Sequence, residues 1–134
     1  MAKEGGLGMS LAVDDSAGTA RTISNDVTSL SWETPREVWE FTGIDKSAVE
    51  RTLLLADFSV ELNGAFDDAT NFSHSVFRTV PSTTVARTTT IGVSGQTLAG
   101  ELLYSTYSLE RSDSGELTWT AEGSLADGTT PTWT

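Results

Sequence analysis

The residues best suited to chemistry in this 134-residue chain are one histidine and many scattered carboxylates. His74 stands between Ser73 and Ser75 in a segment whose spacing favours a short helix. A Ser-His-Asp centre needs an imidazole that a carboxylate orients toward an exposed hydroxyl. Two neighbouring serines on a helix do not supply that geometry. We therefore interpret His74 as a surface residue and expect no nucleophilic catalysis.

Metal binding has equally few candidate ligands. One histidine and no cysteine exclude a zinc site built from nitrogen and sulfur ligands. The pairs Asp14-Asp15 and Asp67-Asp68 carry charge that attracts calcium, but neither lies in a loop with the alternating carboxylates of a calcium site. Turn formation and helix capping explain both pairs better. The sequence therefore predicts no catalytic residue, no metal site and no cofactor.

The formal charge of −11, from 19 acidic and 8 basic residues, restricts the classes of partner. Nucleic-acid binding draws its affinity from lysines and arginines that contact phosphates, and the basic residues of this chain form no cluster. We expect no specific binding to DNA or RNA. The acidity either serves solubility alone or presents a surface to which DNA does not adhere, and charge by itself does not separate these two interpretations.

The strongest structural signal lies in Gln96–Thr134, which reads as one long antiparallel hairpin followed by a short polar tail. Apolar residues occupy every second position of Leu117–Leu125, the period of a strand with one buried face. A similar run covers Thr97–Arg111, and Ser112–Gly115 supplies the turn between them. The inward positions change phase near Ser105-Thr106, which predicts a β-bulge or a strand that bends from one sheet into another.

The remaining elements are shorter, and the chain reads as one mainly β domain, 1–134, with a flexible start at Met1–Gly8. The predicted strands are Met9–Val13, Thr19–Ile23, Phe58–Phe66 and Val85–Val93, and Asn25–Trp32 is either a strand or an extended loop. Ala69–Thr79 is the best helix, with Asp67-Asp68 as N-cap candidates and Pro81 as its stop. No apolar run approaches the length that spans a bilayer, so we expect a soluble protein made in a cytoplasm.

The segment 36–52 is a candidate interaction arm because it is highly charged and yet carries aromatic side chains. Ser47–Glu50 fits a capping box, which allows a short helix from Ala48 to about Leu55. The alternative is a long mobile hairpin. A further alternative is that Trp39 and Phe41 fold back onto the sheet. The candidate arm residues are Glu37, Trp39, Glu40, Phe41, Ile44, Lys46, Glu50 and Arg51.

Two motifs in a fixed order carry a resemblance to a known family. Leu54–Asp67 has an Asp, an alternating apolar strand, a Gly and a final Asp in that order before the predicted helix, and Ala126–Trp133 contains Asp-Gly-x-x-Pro-x-Trp at the end of the chain. Over roughly Ile23–Thr134 the chain resembles the tail tube (major tail) proteins of long-tailed bacteriophages. Such proteins often carry a Thr-x-Phe-Gly segment on the arm, where this chain has Trp39–Ile44.

The resemblance implies a two-sheet sandwich or flattened barrel with one short flanking α-helix and an inter-subunit arm over 36–52. It also implies a ring, expected to be a hexamer, in which the inner sheets form one barrel without exposed edges, and rings that stack into a tube. The implied partners are the tape measure protein, the tail terminator and distal tail or baseplate proteins. The implied location is the virion tail, assembled in the host cytoplasm, with no membrane binding by the subunit.

In such a tube, DNA would pass through the bore without specific binding, because carboxylates that face the bore would repel it. Glu101, Glu116 and Glu122 are the candidate lumen-facing residues, since they fall on the polar faces of the long strands. The sequence-based hypothesis is therefore a non-enzymatic structural subunit that self-assembles into a DNA conduit.

Two other functions compete with this hypothesis. One is a carbohydrate- or cell-wall-binding β-sandwich in which Trp39, Trp119 or Trp133 stacks on sugar. The other is a different virion ring protein, such as a tail terminator or head-tail joining subunit, which would form a single ring that does not polymerise.

Overall fold

Ten β-strands and one short α-helix make up residues 5–134, the part of the chain that the computed structural model describes. The first residues of the predicted flexible segment Met1–Gly8 lie outside the described residues. The strands are β1 (Ser10–Asp14), β2 (Ala20–Thr22), β3 (Val27–Glu33), β4 (Arg36–Glu40), β5 (Arg51–Ala56), β6 (Ser59–Ala65), β7 (Arg87–Val93), β8 (Gln96–Arg111), β9 (Leu117–Leu125) and β10 (Thr132–Trp133). The helix α1 covers Ser73–Phe77, and a 3-10 turn covers Ser24–Asp26.

The strands form one large antiparallel sheet and one small one. The large sheet has the order β2-β1-β7-β8-β9-β6-β3, with β10 paired to β8, and the small sheet is the β4–β5 hairpin. Although β2 and β3 are the two edges of the large sheet, only Ile23 and the Ser24–Asp26 turn separate them in the chain. The sheet must therefore curl until its edges approach each other. The predicted fold, mainly β with one short helix and an extended hairpin, is confirmed.

The long closing hairpin has the form that the alternation predicted. β8 and β9 pair from Leu102↔Leu125 to Arg111↔Leu117, and the backbone N–H of Gly115 donates to the carbonyl of Ser112 at 3.0 Å in the turn. The register shifts between Tyr104 and Thr106, so the predicted bulge is confirmed. This bulge keeps Tyr104 and Tyr107 on the same inward side of a sixteen-residue strand.

The core lies on the inner face of the curled sheet, where α1 covers an aromatic cluster. The ring of Phe77 packs 5.4 Å from Trp119, 5.1 Å from Tyr104 and 5.7 Å from Tyr107, measured between centroids. Trp119 is 1% exposed, and its indole N–H donates to the carbonyl of Ala65 at 2.9 Å. Burying these rings supplies much of the hydrophobic stabilisation of the domain.

A buried arginine joins three parts of the fold beside this cluster. The guanidinium of Arg87 donates to the carbonyl of Asp14 at 3.1 Å and to the hydroxyl of Thr79 at 2.9 Å. Burial lowers the pKa of Arg87 from its ordinary value. These hydrogen bonds hold β7, the end of β1 and the segment after α1 together, because a buried charge must be given polar partners.

The predicted length of one helix is wrong, and so is the helix alternative for the segment that begins at Ala48. α1 is shorter than the predicted helix Ala69–Thr79, because the carboxylate of Asp67 accepts the N–H of Ala69 in a tight turn at 2.9 Å and Asn71 takes a left-handed backbone, φ 72°. No helix starts at Ala48, since Arg51–Ala56 pairs with β4 instead. Asn25–Trp32, which the sequence left open, is mostly strand β3.

Candidate functional site

The first candidate surface is the β4–β5 hairpin with its connecting loop, Arg36–Ala56, which we call the arm. It continues the β3–β6 pair beyond Glu33↔Ser59, and the N–H of Asp57 donates to the carbonyl of Pro35 at 2.9 Å where the two hairpins join. Every residue of β4 is exposed. β4 and β5 pair as antiparallel strands, which confirms the hairpin of the alternative for 36–52.

Both faces of the arm carry exposed apolar side chains. Val38 pairs with Leu53, so these two share one face, and they are 54% and 52% exposed. On the opposite face the rings of Trp39 and Phe41 pack against each other, 5.1 Å between centroids, and remain 54% and 44% exposed. The alternative in which Trp39 and Phe41 fold back onto the sheet is wrong. A ribbon that is apolar on both sides has a surface suited to burial between other molecules.

The structure places all eight predicted arm residues on this element. Glu37, Trp39 and Glu40 lie in β4 and Arg51 begins β5, while Phe41, Ile44, Lys46 and Glu50 lie in the loop that joins the strands. Glu40 and Arg51 form an exposed ion pair at 3.8 Å, which contributes little to stability. The exposed apolar run Leu53–Leu55 was missed because the candidate arm ended at residue 52, and the capping box allowed a helix over these leucines.

The second candidate surface is the solvent-facing side of the large sheet, which we call the acidic face. The strand registers place six carboxylates there, and small Ser, Thr, Gly and Ala side chains fill much of the rest. The carboxylates are Asp14, Glu33, Glu61, Glu101, Glu110 and Glu122. Within residues 5–134 no lysine or arginine lies on this face: the registers, the arm and α1 account for all of them elsewhere.

Two carboxylates on this face oppose each other directly. Glu61 of β6 is in register with Glu122 of β9, an arrangement that costs folding stability because like charges on paired strands repel. Nearby, the hydroxyl of Thr120 donates to the side-chain oxygen of Asn63 at 2.8 Å, and that of Thr88 to the carboxylate of Glu101. Every charged side chain on the described part of this face is negative.

Two of the three predicted lumen residues, Glu101 and Glu122, lie on the acidic face. Glu116 does not lie within a strand: it precedes β9 in the hairpin turn, where Ser112 donates to its carboxylate. The sequence analysis did not single out Glu61, although its polar position in the alternating run Phe58–Phe66 was the available signal. Asp14 and Glu33 join the face only through the strand order, which the sequence pattern does not contain.

In the structure, the residues whose side chains could carry out chemistry make packing and hydrogen-bond contacts within the fold. His74 is half-buried, its Nδ1 lies 3.0 Å from the hydroxyl of Tyr107, and its ring packs on Phe66. Within residues 5–134, no three His, Asp or Glu side chains cluster in a way that could hold a metal ion. Also within this range, no helix is long and apolar enough to cross a membrane.

The tryptophans proposed as a sugar platform lie in three different environments. Trp119 is buried in the core, so its suggested stacking role is wrong. Trp133 packs against Trp32, with ring centroids 6.4 Å apart and planes tilted by 53°. Trp39 lies on the arm beside Phe41 at an interplanar angle of 34°. Neither exposed pair forms the flat platform that the carbohydrate hypothesis requires.

Solved structures of phage-like particles contain the same fold. One is a chain from the tail of an empty gene transfer agent particle, determined by helical refinement with C6 symmetry. It aligns with a TM-score of 0.78 and 16% identity over 98% of this chain and 99% of that one. A chain from the virion of a native gene transfer agent particle aligns with a TM-score of 0.76 and 16% identity over the same shares. The resemblance to phage tail proteins that the sequence predicted is thus confirmed at the level of the fold.

No protein-family model and no curated protein sequence matches this chain.

Proposed function

We propose that this chain is a structural subunit that self-assembles into stacked rings and forms the tail tube of a phage-like particle, a conduit for DNA. The observation that carries the proposal is the shared fold, over 98% of this chain, with a chain from a tail of C6 symmetry. We take six subunits per ring from that symmetry. A rotation that closes makes a ring, and repetition along the axis makes a tube.

The acidic face supports a role as the wall of the bore. DNA is a dense polyanion that binds proteins through lysine and arginine contacts with its phosphates. A wall with Glu61, Glu101 and Glu122, and with no basic residue among those described, repels DNA at close range. DNA can then slide past the wall without binding to it.

The open sheet edges and the arm support assembly with other copies. β2 and β3 end the large sheet without a further strand partner among the described residues, and such edges pair readily with other strands. Lateral pairing between copies would complete a ring-wide barrel. The arm, apolar on both faces, supplies a contact that reaches beyond its own subunit.

The assembly implies the remaining partners. A tube of defined length and with two different ends needs a tape measure protein, a tail terminator and distal tail or baseplate proteins. Its location is the virion tail, after assembly in the cytoplasm of the host cell. No catalytic step belongs to this function.

Electron microscopy of the purified protein tests the proposal. At moderate concentration we expect rings about one subunit thick. At high concentration, or in the presence of the tape measure protein, we expect tubes. End views of both should show sixfold symmetry. Compact monomers under all of these conditions would overturn the proposal. Single rings that never stack would support the alternative of a terminator or joining protein, and glycan binding by a stable monomer would support the carbohydrate alternative.

A further inference from the structure

We propose that the arm of one copy binds the free end of the β8–β9 hairpin of a second copy, so that this contact joins one ring to the next. The inference rests on the proposed tube function and identifies the receptor surface for the arm. That receptor, which we call the tip patch, consists of Phe72, Leu109 and Leu117.

The tip patch is an exposed apolar surface where the closing hairpin extends past the core. Leu109 pairs with Trp119, and Leu117 pairs with Arg111, so the two leucines share one face on adjacent strands and are diagonal neighbours. They are 47% and 40% exposed. Phe72, 37% exposed, precedes α1, whose His74 contacts Tyr107 two residues before Leu109. The patch is thus the unburied end of the same face that carries the core.

The arm and the tip patch lie at opposite ends of the large sheet. The arm leaves the sheet where Ser59 pairs with Glu33 and Ser124, whereas Ala65, at the other end of β6, pairs with Thr118 next to Leu117. Six residues of strand separate these ends by about 20 Å. At this separation the arm of one copy does not cover the tip patch of the same copy. Binding through opposite ends is head-to-tail, and with no closing rotation between the copies it adds them along one direction, as stacked rings require.

The areas fit a weak contact between copies that is repeated around a ring. Eight large apolar side chains of the arm are each at least 41% exposed, which amounts to apolar surface on the order of 600 Å². The tip patch offers roughly 200 Å² more. A contact covers no more of the arm than of the tip patch, so one contact buries roughly 400 Å² in total, well below the ~1,000 Å² of a specific interface. Six contacts acting in parallel between two rings would make a weak single contact strong.

Cysteine crosslinking between separately labelled chains tests this contact directly, because the natural chain has no cysteine. One preparation carries Ile44→Cys on the arm, and the other carries Leu117→Cys on the tip patch. The control partner carries Leu103→Cys, whose side chain is 42% exposed on the acidic face. After assembly of each mixture and treatment with a short bis-maleimide, we expect at least tenfold more covalent dimer from the arm–tip mixture than from the control mixture. A second arm position, Leu53→Cys, repeats the measurement if one variant assembles poorly.

The outcomes separate this inference from the proposed function. Tubes in the microscope without preferential arm–tip crosslinking would overturn the inference and leave the tube function standing. Arm–tip dimers in a sample that never forms rings or tubes would support the contact and overturn the tube function. Neither crosslinks nor assemblies would overturn both.

Discussion

Asp26 is a buried carboxylate whose environment favours its protonated form. The residue is 4% exposed, and its Oδ2 accepts the backbone N–H of Ser73 at 3.0 Å, which holds the Ser24–Asp26 turn against the start of α1. Burial raises the pKa of Asp26, and the neighbouring carboxyl of Asp67 raises it further. Ionising Asp26 therefore costs more free energy in the folded protein than in the unfolded chain.

The substitution Asp26→Asn should raise the thermal midpoint of unfolding at neutral pH. A raised folded-state pKa gives a stabilising contribution that is complete below 3.8, the ordinary pKa of an aspartate, and is lost as the pH rises through the folded-state pKa. The amide keeps an oxygen to accept the N–H of Ser73 and loses the charge. Thermal melts at several pH values should show little difference between the two proteins in acid. As the pH increases, the melting temperature of the variant should rise relative to that of the wild type.

Asp68→Asn is the matched control for Asp26→Asn, because it makes the same charge change at an exposed neighbouring position. We expect this control to leave the melting temperature nearly unchanged. An Asp26→Asn variant that is less stable than the wild type at neutral pH would contradict this prediction. It would mean that the hydrogen bond from Ser73 to the ionised carboxylate stabilises the fold by more free energy than burying the charge costs.

At the scale of elements, the sequence predicts those strands whose apolar side chains pack in the core of the same chain. The alternation of β8 and β9, with the phase change at Ser105-Thr106, could be read because burial imposes a period of two on each strand. The arm could not be assigned uniquely, since its apolar residues have no core of their own to impose a period. Ser47–Glu50 satisfied a helix signal locally, but pairing of Arg51–Ala56 with β4 decides the structure. Tertiary pairing overrides such short-range signals.

Gly64 of β6 is required by the packing of the core. Its partner across the strands is Trp119, and an added Cβ would lie 1.9 Å from the carbonyl oxygen of Asp26 and 2.8 Å from the indole nitrogen of Trp119. Gly64→Ala should therefore lower the free energy of unfolding by about 3 kcal/mol, the upper end of the range for overpacking. Urea unfolding measures this change. The control is Gly6→Ala, because the added Cβ would meet only the sulfur of Met9 at 3.5 Å. Its free energy of unfolding should stay near the wild-type value. A folded Gly64→Ala protein of unchanged stability would contradict the packing described here.

The arm should influence assembly without influencing subunit stability. Trp39→Ser with Phe41→Ser removes two rings that pack on each other and remain about half exposed, so little buried surface is lost. We expect a melting temperature close to that of the wild-type monomer, together with a rise of at least tenfold in the concentration needed for tubes, measured by sedimentation. The control is Glu37→Gln, a change at an exposed position of the same strand. A variant that assembles normally would show that the arm is not part of the contact.

At the scale of the whole molecule, the fold separates the charges. Arg36, Lys46 and Arg51 lie on the arm, and Arg87 is buried, whereas one side of the large sheet collects carboxylates from five strands. Composition predicted an acidic protein but not an acidic face, because Asp14 and Glu33 meet Glu122 on one surface only through the strand order. Non-local strand order depends on the whole fold and leaves no local pattern in the sequence.

The location of the acidic face in a tube can be measured with a single cysteine. In Glu122→Cys the thiol lies on the acidic face, and in Arg78→Cys it follows α1, which packs on the inner face. A maleimide that carries a large polymer should label both variants as free subunits. In assembled tubes it should still label Arg78→Cys and should fail to label Glu122→Cys, because a narrow bore excludes the polymer. Equal labelling of Glu122→Cys in tubes and in subunits would place the carboxylates on the outer surface, where they would serve solubility and not the passage of DNA.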